Sequence, residues 1–144
     1  MIVYLLDVNV LLALCDPLHV HHEAAHVWFA AVGRFAWATC PITENGFVRV
    51  AGHPSYPNRP GDASIALSIL RQFCATSGHR FWSADVSLRE LLRPGAAITH
   101  GHVTDAYLLG LAVRNTGKLA TLDQRIPTAA VGGGAEALEL IPVS

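Results

Sequence analysis

Charge is what this chain has least of. Only 15% of its 144 residues are charged, and ten Lys and Arg against eleven Asp and Glu leave a formal net charge of −1. That balance excludes nucleic-acid binding by bulk electrostatics, so any such contact must be local. No basic run marks a path for a polyanion either, because Arg49, Arg59, Arg80, Arg89, Arg93, Arg114, Lys118 and Arg125 are scattered. Cysteine is scarce too. Cys15, Cys40 and Cys74 are odd in number and never form a C-x-x-C pair, which excludes a disulfide framework and predicts reduced thiols, most simply three small core residues. No apolar run approaches the ~18 residues of a membrane span. The opening MIVYLLDVNVLLALC lacks the basic flank of a signal peptide and is interrupted by Asp7 and Asn9. The expectation is a cytoplasmic protein without a membrane segment. Internal repeats and low-complexity linkers are also absent, and the length suits a single domain over residues 1–144.

What is abundant is apolar surface to bury: 51% of residues are hydrophobic and the mean hydropathy is +0.35. Such a chain folds compactly and is expected to keep an apolar patch for a protein partner. Residues 2–6 are a continuous apolar run, the pattern of a strand buried on both faces. A short helix carrying Val10, Leu11 and Leu14 follows and closes at Asp16-Pro17, and a second helix runs from His22 to Ala31 with Gly33 as its stop. Residues 35–39 read as a second strand, and Pro41 opens a third helix through PITENGFVRVAG. HPSYPNRPGD reads as a surface loop before a helix over 63–76. A short strand at 80–82 and a capped helical turn or two in SADVSLRELL come next. Thr104 or Asp105 caps a helix reaching Asn115 and ended by Gly117. Residues 119–122 form a fourth strand, AAVGGGAEA a flexible connection, and 139–143 a fifth strand at the sheet edge. This alternation predicts an α/β fold with a mostly parallel sheet of four to five strands, covered on both faces.

In such sheets ligands bind beyond the carboxyl ends of the strands. Asp7 and Asp123 fall at strand ends of that kind, and Glu44 and Asp105 near the starts of helices. Four carboxylates at one sheet edge repel one another unless a cation lies among them. Oxygen ligands favour Mg²⁺ or Mn²⁺ over zinc, and such ions suit hydrolysis of a phosphodiester. Each acid also has a plainer reading. Asp105 is placed to favour a helix dipole, Asp123 to make a turn and Glu44 to be a solvated first-turn acid, whereas Asp7 follows five apolar residues and needs a partner.

The blocks LLDVNVLLAL, WATCPITENGFVRV, HVTDAYLLGLA and LATLDQ, in that order, resemble the PIN-domain ribonucleases, most closely the VapC toxins of bacterial toxin–antitoxin modules. HHEAAHVWF and GHRFWSADVSL extend the likeness to the mycobacterial-type branch, over almost the whole chain. The resemblance implies a PIN-like α/β/α sandwich and a Mg²⁺- or Mn²⁺-dependent endoribonuclease. It also implies an RNA substrate, a homodimer, and inhibition by a VapB-like antitoxin. It further implies that Asp7, Glu44, Asp105 and Asp123 are catalytic, metal-binding acids, with Asn9, Thr104 and Thr121 as supporting polar residues. Arg125, two residues after Asp123, is the basic residue expected to touch RNA phosphate.

Three other readings compete. His22-Glu23-Ala24-Ala25-His26 satisfies H-E-x-x-H, a zinc metalloprotease pattern, but it lies in a histidine-rich stretch with His19 and His21, and only one short strand precedes it. A phosphoacceptor receiver domain also gathers acids at strand ends, yet Lys118 precedes its strand and Asp85 lies in a polar turn. A catalytically inactive binding module of the same fold is the third. Trp28, Phe29 and Trp37 are expected in the core; if exposed they would mark an antitoxin groove.

Overall fold

The computed structural model describes residues 1–143. Five strands, β1 (Tyr4–Leu6), β2 (Trp37–Thr39), β3 (His79–Phe81), β4 (Lys118–Thr121) and β5 (Leu138–Leu140), alternate with six helices. These are α1 (Val8–Cys15), α2 (His22–Ala31), α3 (Pro41–Ala51), α4 (Ala63–Cys74), α5 (Leu88–Leu91) and α6 (Val103–Arg114). The strands form one parallel sheet in the order β3-β2-β1-β4-β5, as the expected α/β alternation requires. The chain steps outward from β1 to β2 and β3 on one side, then returns to place β4 on the other. The crevice at the carboxyl end of β1 is therefore the switch point where such sheets receive ligands.

Side-chain alternation divides the core between the two sheet faces. Leu6, Trp37 and Ala120 point to one side, where Val10, Leu11, Ala25, Trp28, Phe47 and Leu70 from α1 to α4 cover them. Leu5, Ala38 and Leu119 point to the other, beneath Leu108, Leu109 and Leu111 of α6. Leu5, Leu6, Leu108, Leu109 and Leu119 are wholly buried, and truncating any one to Ala costs about 2–5 kcal/mol. Trp28 and Trp37 are buried as expected, with Trp37 stacked on Phe73 at 4.5 Å.

Several local expectations are corrected. The cap of α6 is His102, at the end of a 3₁₀ turn over His100–His102, so neither Thr104 nor Asp105 caps it; both lie within the first turn. Lys118 begins β4 rather than preceding it, which places it at the end of the sheet opposite the acids and confirms its unsuitability as a receiver lysine. The Gly-rich connection is packed: Ala130, Val131, Gly134 and Ala137 are buried, and a Cβ at Gly134 would lie 2.4 Å from the Thr128 carbonyl oxygen. The fifth strand is Leu138–Leu140, earlier than 139–143, because its ladder to β4 pairs Leu119 with Leu138 and Thr121 with Leu140. The proline-rich loop after α3 lies at the surface as expected and is in addition pinned, since Tyr56 Oη–H and Asn58 Nδ2–H both donate to Asp16 Oδ2, at 2.5 and 2.9 Å.

Candidate functional site

Asp7 leaves β1 at the switch point and caps α1. Its Oδ1 accepts the Val8 N–H at 2.7 Å and its Oδ2 accepts the Thr121 hydroxyl at 2.8 Å, which orients a carboxylate only 5% exposed. Thr121, the last residue of β4, is the hub of this end of the sheet. Its oxygen also accepts from Asn9 Nδ2 at 3.2 Å and from the Asp123 N–H at 3.1 Å, while Asn9 Oδ1 accepts the Leu122 N–H at 3.2 Å. Asn9 and Thr121 thus tie the start of α1 to the end of β4 and hold Asp7 and Asp123 in one frame. Thr104 is exposed and makes no side-chain hydrogen bond among the described residues.

Asp105 reaches the same edge from the first turn of α6, where the helix dipole favours a negative charge. Asp123 Oδ1 accepts the Arg125 N–H at 2.9 Å and lies 3.5 Å from Arg125 Nε; Asp123 Oδ2 is 3.9 Å from His102 Nε2. Donor atoms of His102, Asp105 and Asp123 all lie within 4.8 Å of one another, close enough to share a metal ion. Burial pushes the Asp7 carboxyl up to about 6, opposed by the Thr121 hydrogen bond and reinforced by the negative charges of Asp105 and Asp123. Burial also raises Asp105, and Asp123 adds to that, while His102 and Arg125 act in the opposite sense. Mutual repulsion of three acids in a partly dry site is the physical signature of a place for a cation. The donor set, mainly carboxylate oxygens with one imidazole, fits Mg²⁺ or Mn²⁺.

His102 was missed in the sequence, although it stands three residues before Asp105, a spacing that puts both on one face of a helical turn. An open cleft beside Asp123 is lined by Asn9, His19, His21, Gln124 and Arg125, so two further histidines border the site from the α1–α2 connection.

Glu44 takes a different position. It lies in the first turn of α3, and its Oε2 accepts the Thr39 hydroxyl at 2.7 Å. The Thr39 oxygen is also 2.7 Å from His79 Nε2. Because that hydroxyl has a single proton and gives it to Glu44, the His79 N–H donates to Thr39. Glu44, Cys74 and His79 bring their donor atoms within 4.8 Å of one another. The structure therefore gathers Asp7, Asp105 and Asp123 electrostatically and engages Glu44 with Thr39, Cys74 and His79. Burial, and then the Glu44 charge, raise the Cys74 thiol; burial lowers His79 against the pull of Glu44.

The H-E-x-x-H stretch serves the fold. His22 Nδ1–H donates to the Ala13 carbonyl at 2.7 Å and His26 Nε2–H to the Leu14 carbonyl at 2.9 Å, satisfying the last turn of α1. Those two nitrogens carry protons and offer no lone pair to zinc.

Comparison with known proteins identifies the family. The PIN-domain sequence pattern matches residues 4–132. Ribonuclease VapC44 of Mycobacterium tuberculosis is 46% identical over 131 residues, 90% of this chain and 92% of its own length. Ribonuclease VapC38 of the same organism is 42% identical over 142 residues, 96% of this chain and 98% of its own. Among solved structures, VapBC2 from Rickettsia felis, bound to a DNA fragment from their promoter, superposes with a TM-score of 0.60 at 16% identity over 98% of this chain and 100% of that one. M. tuberculosis VapC20, a sarcin-ricin loop cleaving toxin, superposes with a TM-score of 0.61 at 14% identity over 96% and 99%. At those identities the structural likeness concerns the fold, and the sequence relatives carry the kinship: the chain belongs to the PIN-domain family, in its VapC branch.

Proposed function

We propose that this protein is the toxin of a VapBC-type toxin–antitoxin pair, a Mg²⁺- or Mn²⁺-dependent endoribonuclease acting in the cytoplasm and neutralised by a VapB-like antitoxin. The observation that carries the reading is the convergence of Asp7, Asp105 and Asp123 at the switch point, with Asp7 buried at the cost its raised pKa records. Relatives named as ribonucleases at 41–46% identity support the same activity. Asp7, Asp105 and Asp123 would hold the cation, Glu44 completes the family's set of acids from α3, and His102 stands beside Asp123. Bound there, a divalent ion supplies Lewis-acid charge at the scissile phosphate and a more acidic water. Thr121 keeps Asp7 oriented, and Asn9 holds the loop that carries Asp123. Arg125, whose side chain is 82% exposed beside Asp123, is placed to meet an RNA phosphate.

An antitoxin needs an apolar surface to grip. Val20 and Val27 are 85% and 65% exposed and, with Pro142 and Val143, border a groove along α2 suited to an apolar helix or extended segment. The VapBC2 neighbour, solved as a toxin–antitoxin pair, supports such a partner.

The test is incubation of the purified protein with structured cellular RNA, with Mg²⁺, with Mn²⁺ and with chelator, beside an Asp105→Asn variant. Discrete, metal-dependent cutting that the variant loses by at least about a hundredfold, the scale of removing one transition-state-stabilising group, is the expected result. A folded protein that cuts nothing with either metal would overturn the nuclease reading in favour of an inactive binding module.

A further inference from the structure

On the basis of the metal-dependent reading above, we propose that His102 is a nitrogen ligand of the divalent ion held by Asp105 and Asp123, oriented by Thr99, and that it makes the site prefer Mn²⁺ to Mg²⁺. What sets these side chains apart is that their donor atoms are unspent. Asp123 Oδ1 accepts the Arg125 N–H at 2.9 Å, which leaves Oδ2 free on the side that faces His102. Among the described residues the Asp105 carboxylate accepts no hydrogen bond and His102 Nε2 makes none, although the three groups bring donor atoms within 4.8 Å of one another. Other histidines are engaged by the fold. His22, His26 and His79 donate from the nitrogens that face their partners, and His19 Nδ1 accepts the His21 N–H at 3.0 Å.

The ring is held from behind. His102 ends the 3₁₀ turn over His100–His102, and its Nδ1 lies 3.1 Å from the Thr99 hydroxyl oxygen. An ion on Nε2 requires the ring proton on Nδ1, where Thr99 accepts it, the outer partner that a ligating histidine ordinarily has. The spacing fits as well. Nε2 and Asp123 Oδ2 are 3.9 Å apart, beyond hydrogen-bond reach. Two bonds of about 2.1 Å to one octahedral ion set their donor atoms roughly 3 Å apart at a right angle and roughly 4.2 Å apart across it, so the observed separation lies within that span. The His102 and Asp123 side chains are 25% and 20% exposed, partly dried yet open to an ion from solvent. Nitrogen then decides selectivity: Mg²⁺ is a hard ion that keeps oxygen and water around it, whereas affinity for an imidazole rises along the divalent series from Mn²⁺ onward. An imidazolium merely paired with Asp123 needs no lone pair at Nε2 and leaves a bound ion in an all-oxygen shell.

The test uses the full chain, stripped with chelator and loaded with substoichiometric Mn²⁺ in the absence of RNA. Pulsed electron paramagnetic resonance is expected to show ¹⁴N modulation from a directly bound imidazole. His102→Asn should abolish it, because asparagine is favoured at a helix N-cap and so preserves the start of α6, while His21→Ala leaves it intact. Mn²⁺ affinity from the free-ion signal and Mg²⁺ affinity by competition give the second readout. In His102→Asn the ratio of Mn²⁺ to Mg²⁺ affinity should fall by at least about tenfold, and in Thr99→Val by up to about that factor, the scale on which outer-shell partners alter metal binding. An unchanged ratio in Thr99→Val would strike Thr99 from the proposal. Mn²⁺ bound without ¹⁴N modulation, modulation that survives His102→Asn, or an unchanged ratio in that variant would each overturn the nitrogen ligand and leave the nuclease reading standing. A protein that binds no Mn²⁺ would overturn both.

Discussion

Replacing Asp7 with asparagine should make the metal-free protein more stable at neutral pH, although it removes a residue from the proposed reaction centre. In the unfolded chain this carboxyl titrates near the ordinary value of about 3.9, and in the folded protein burial holds it at about 6. Below the unfolded value both states are protonated and the group costs nothing. Between the two values the unfolded chain ionises while the native state keeps its buried proton, so stability falls by about 1.4 kcal/mol per pH unit, about 3 kcal/mol in total by the time pH passes the folded value. Asparagine escapes that loss but accepts at one atom where Asp7 accepts at two, from the Val8 N–H and the Thr121 hydroxyl. The missing bond offsets about 1–2 kcal/mol. Asp7→Asn is therefore expected to be about 1–2 kcal/mol more stable than wild type at pH 8 in chelator, and less stable by a similar amount at pH 4. Thermal unfolding should show the crossover, with a Tm difference of roughly 3–6 °C at each extreme. Adding Mn²⁺ should close the gap at pH 8 by stabilising only the wild type. A variant less stable than wild type at both pH values would refute the reasoning, because ionised Asp7 would then be a net stabiliser in the absence of metal.

Removing the guanidinium in Arg125→Ala should weaken RNA binding and reduce the slope of log affinity against log salt by about 0.7, the value for one phosphate contact on a single strand; an unchanged slope removes Arg125 from the RNA path. Tyr56→Phe deletes the hydroxyl that holds the proline-rich loop to buried Asp16 and should cost about 1–3 kcal/mol in urea unfolding, the penalty of a lost bond to a buried carboxylate. A change within about 0.5 kcal/mol, the usual range for surface substitutions, would mean the loop is held otherwise. The family resemblance also implies a homodimer, which light scattering at micromolar concentration should detect; a monomer there would refute it.

Much of the fold was legible because its signals are local. Apolar runs of strand length, helical spacing of Val10, Leu11 and Leu14, Pro41 at a helix start and Gly117 after a helix end all act over a few residues. The errors share a cause as well. His102 displaced Thr104 and Asp105 as the start of α6 because a preceding 3₁₀ turn, not the side chain of a good capping residue, set the entry. AAVGGGAEA reads as a flexible connection because composition reveals turn propensity but not the buried residues that pin the chain, here Ala130, Val131 and Ala137; in the same way the surface loop HPSYPNRPGD gives no sign that Asp16 holds its Tyr56 and Asn58.

At the site the division is sharper. The sequence by itself determined which carboxylates lie at strand ends and helix starts, since strand termination and first-turn position are consequences of local pattern. Tertiary structure alone decided which of them meet. The return of β4 to the flank of β1 brings Thr121 and Asp123 against Asp7 and Asn9, more than a hundred positions earlier in the chain. The packing of α3 on α4 places Glu44 by Cys74 and His79, and the turn before α6 brings in His102. Contacts of that span depend on the order of strands in the sheet, and no periodicity within a segment encodes them.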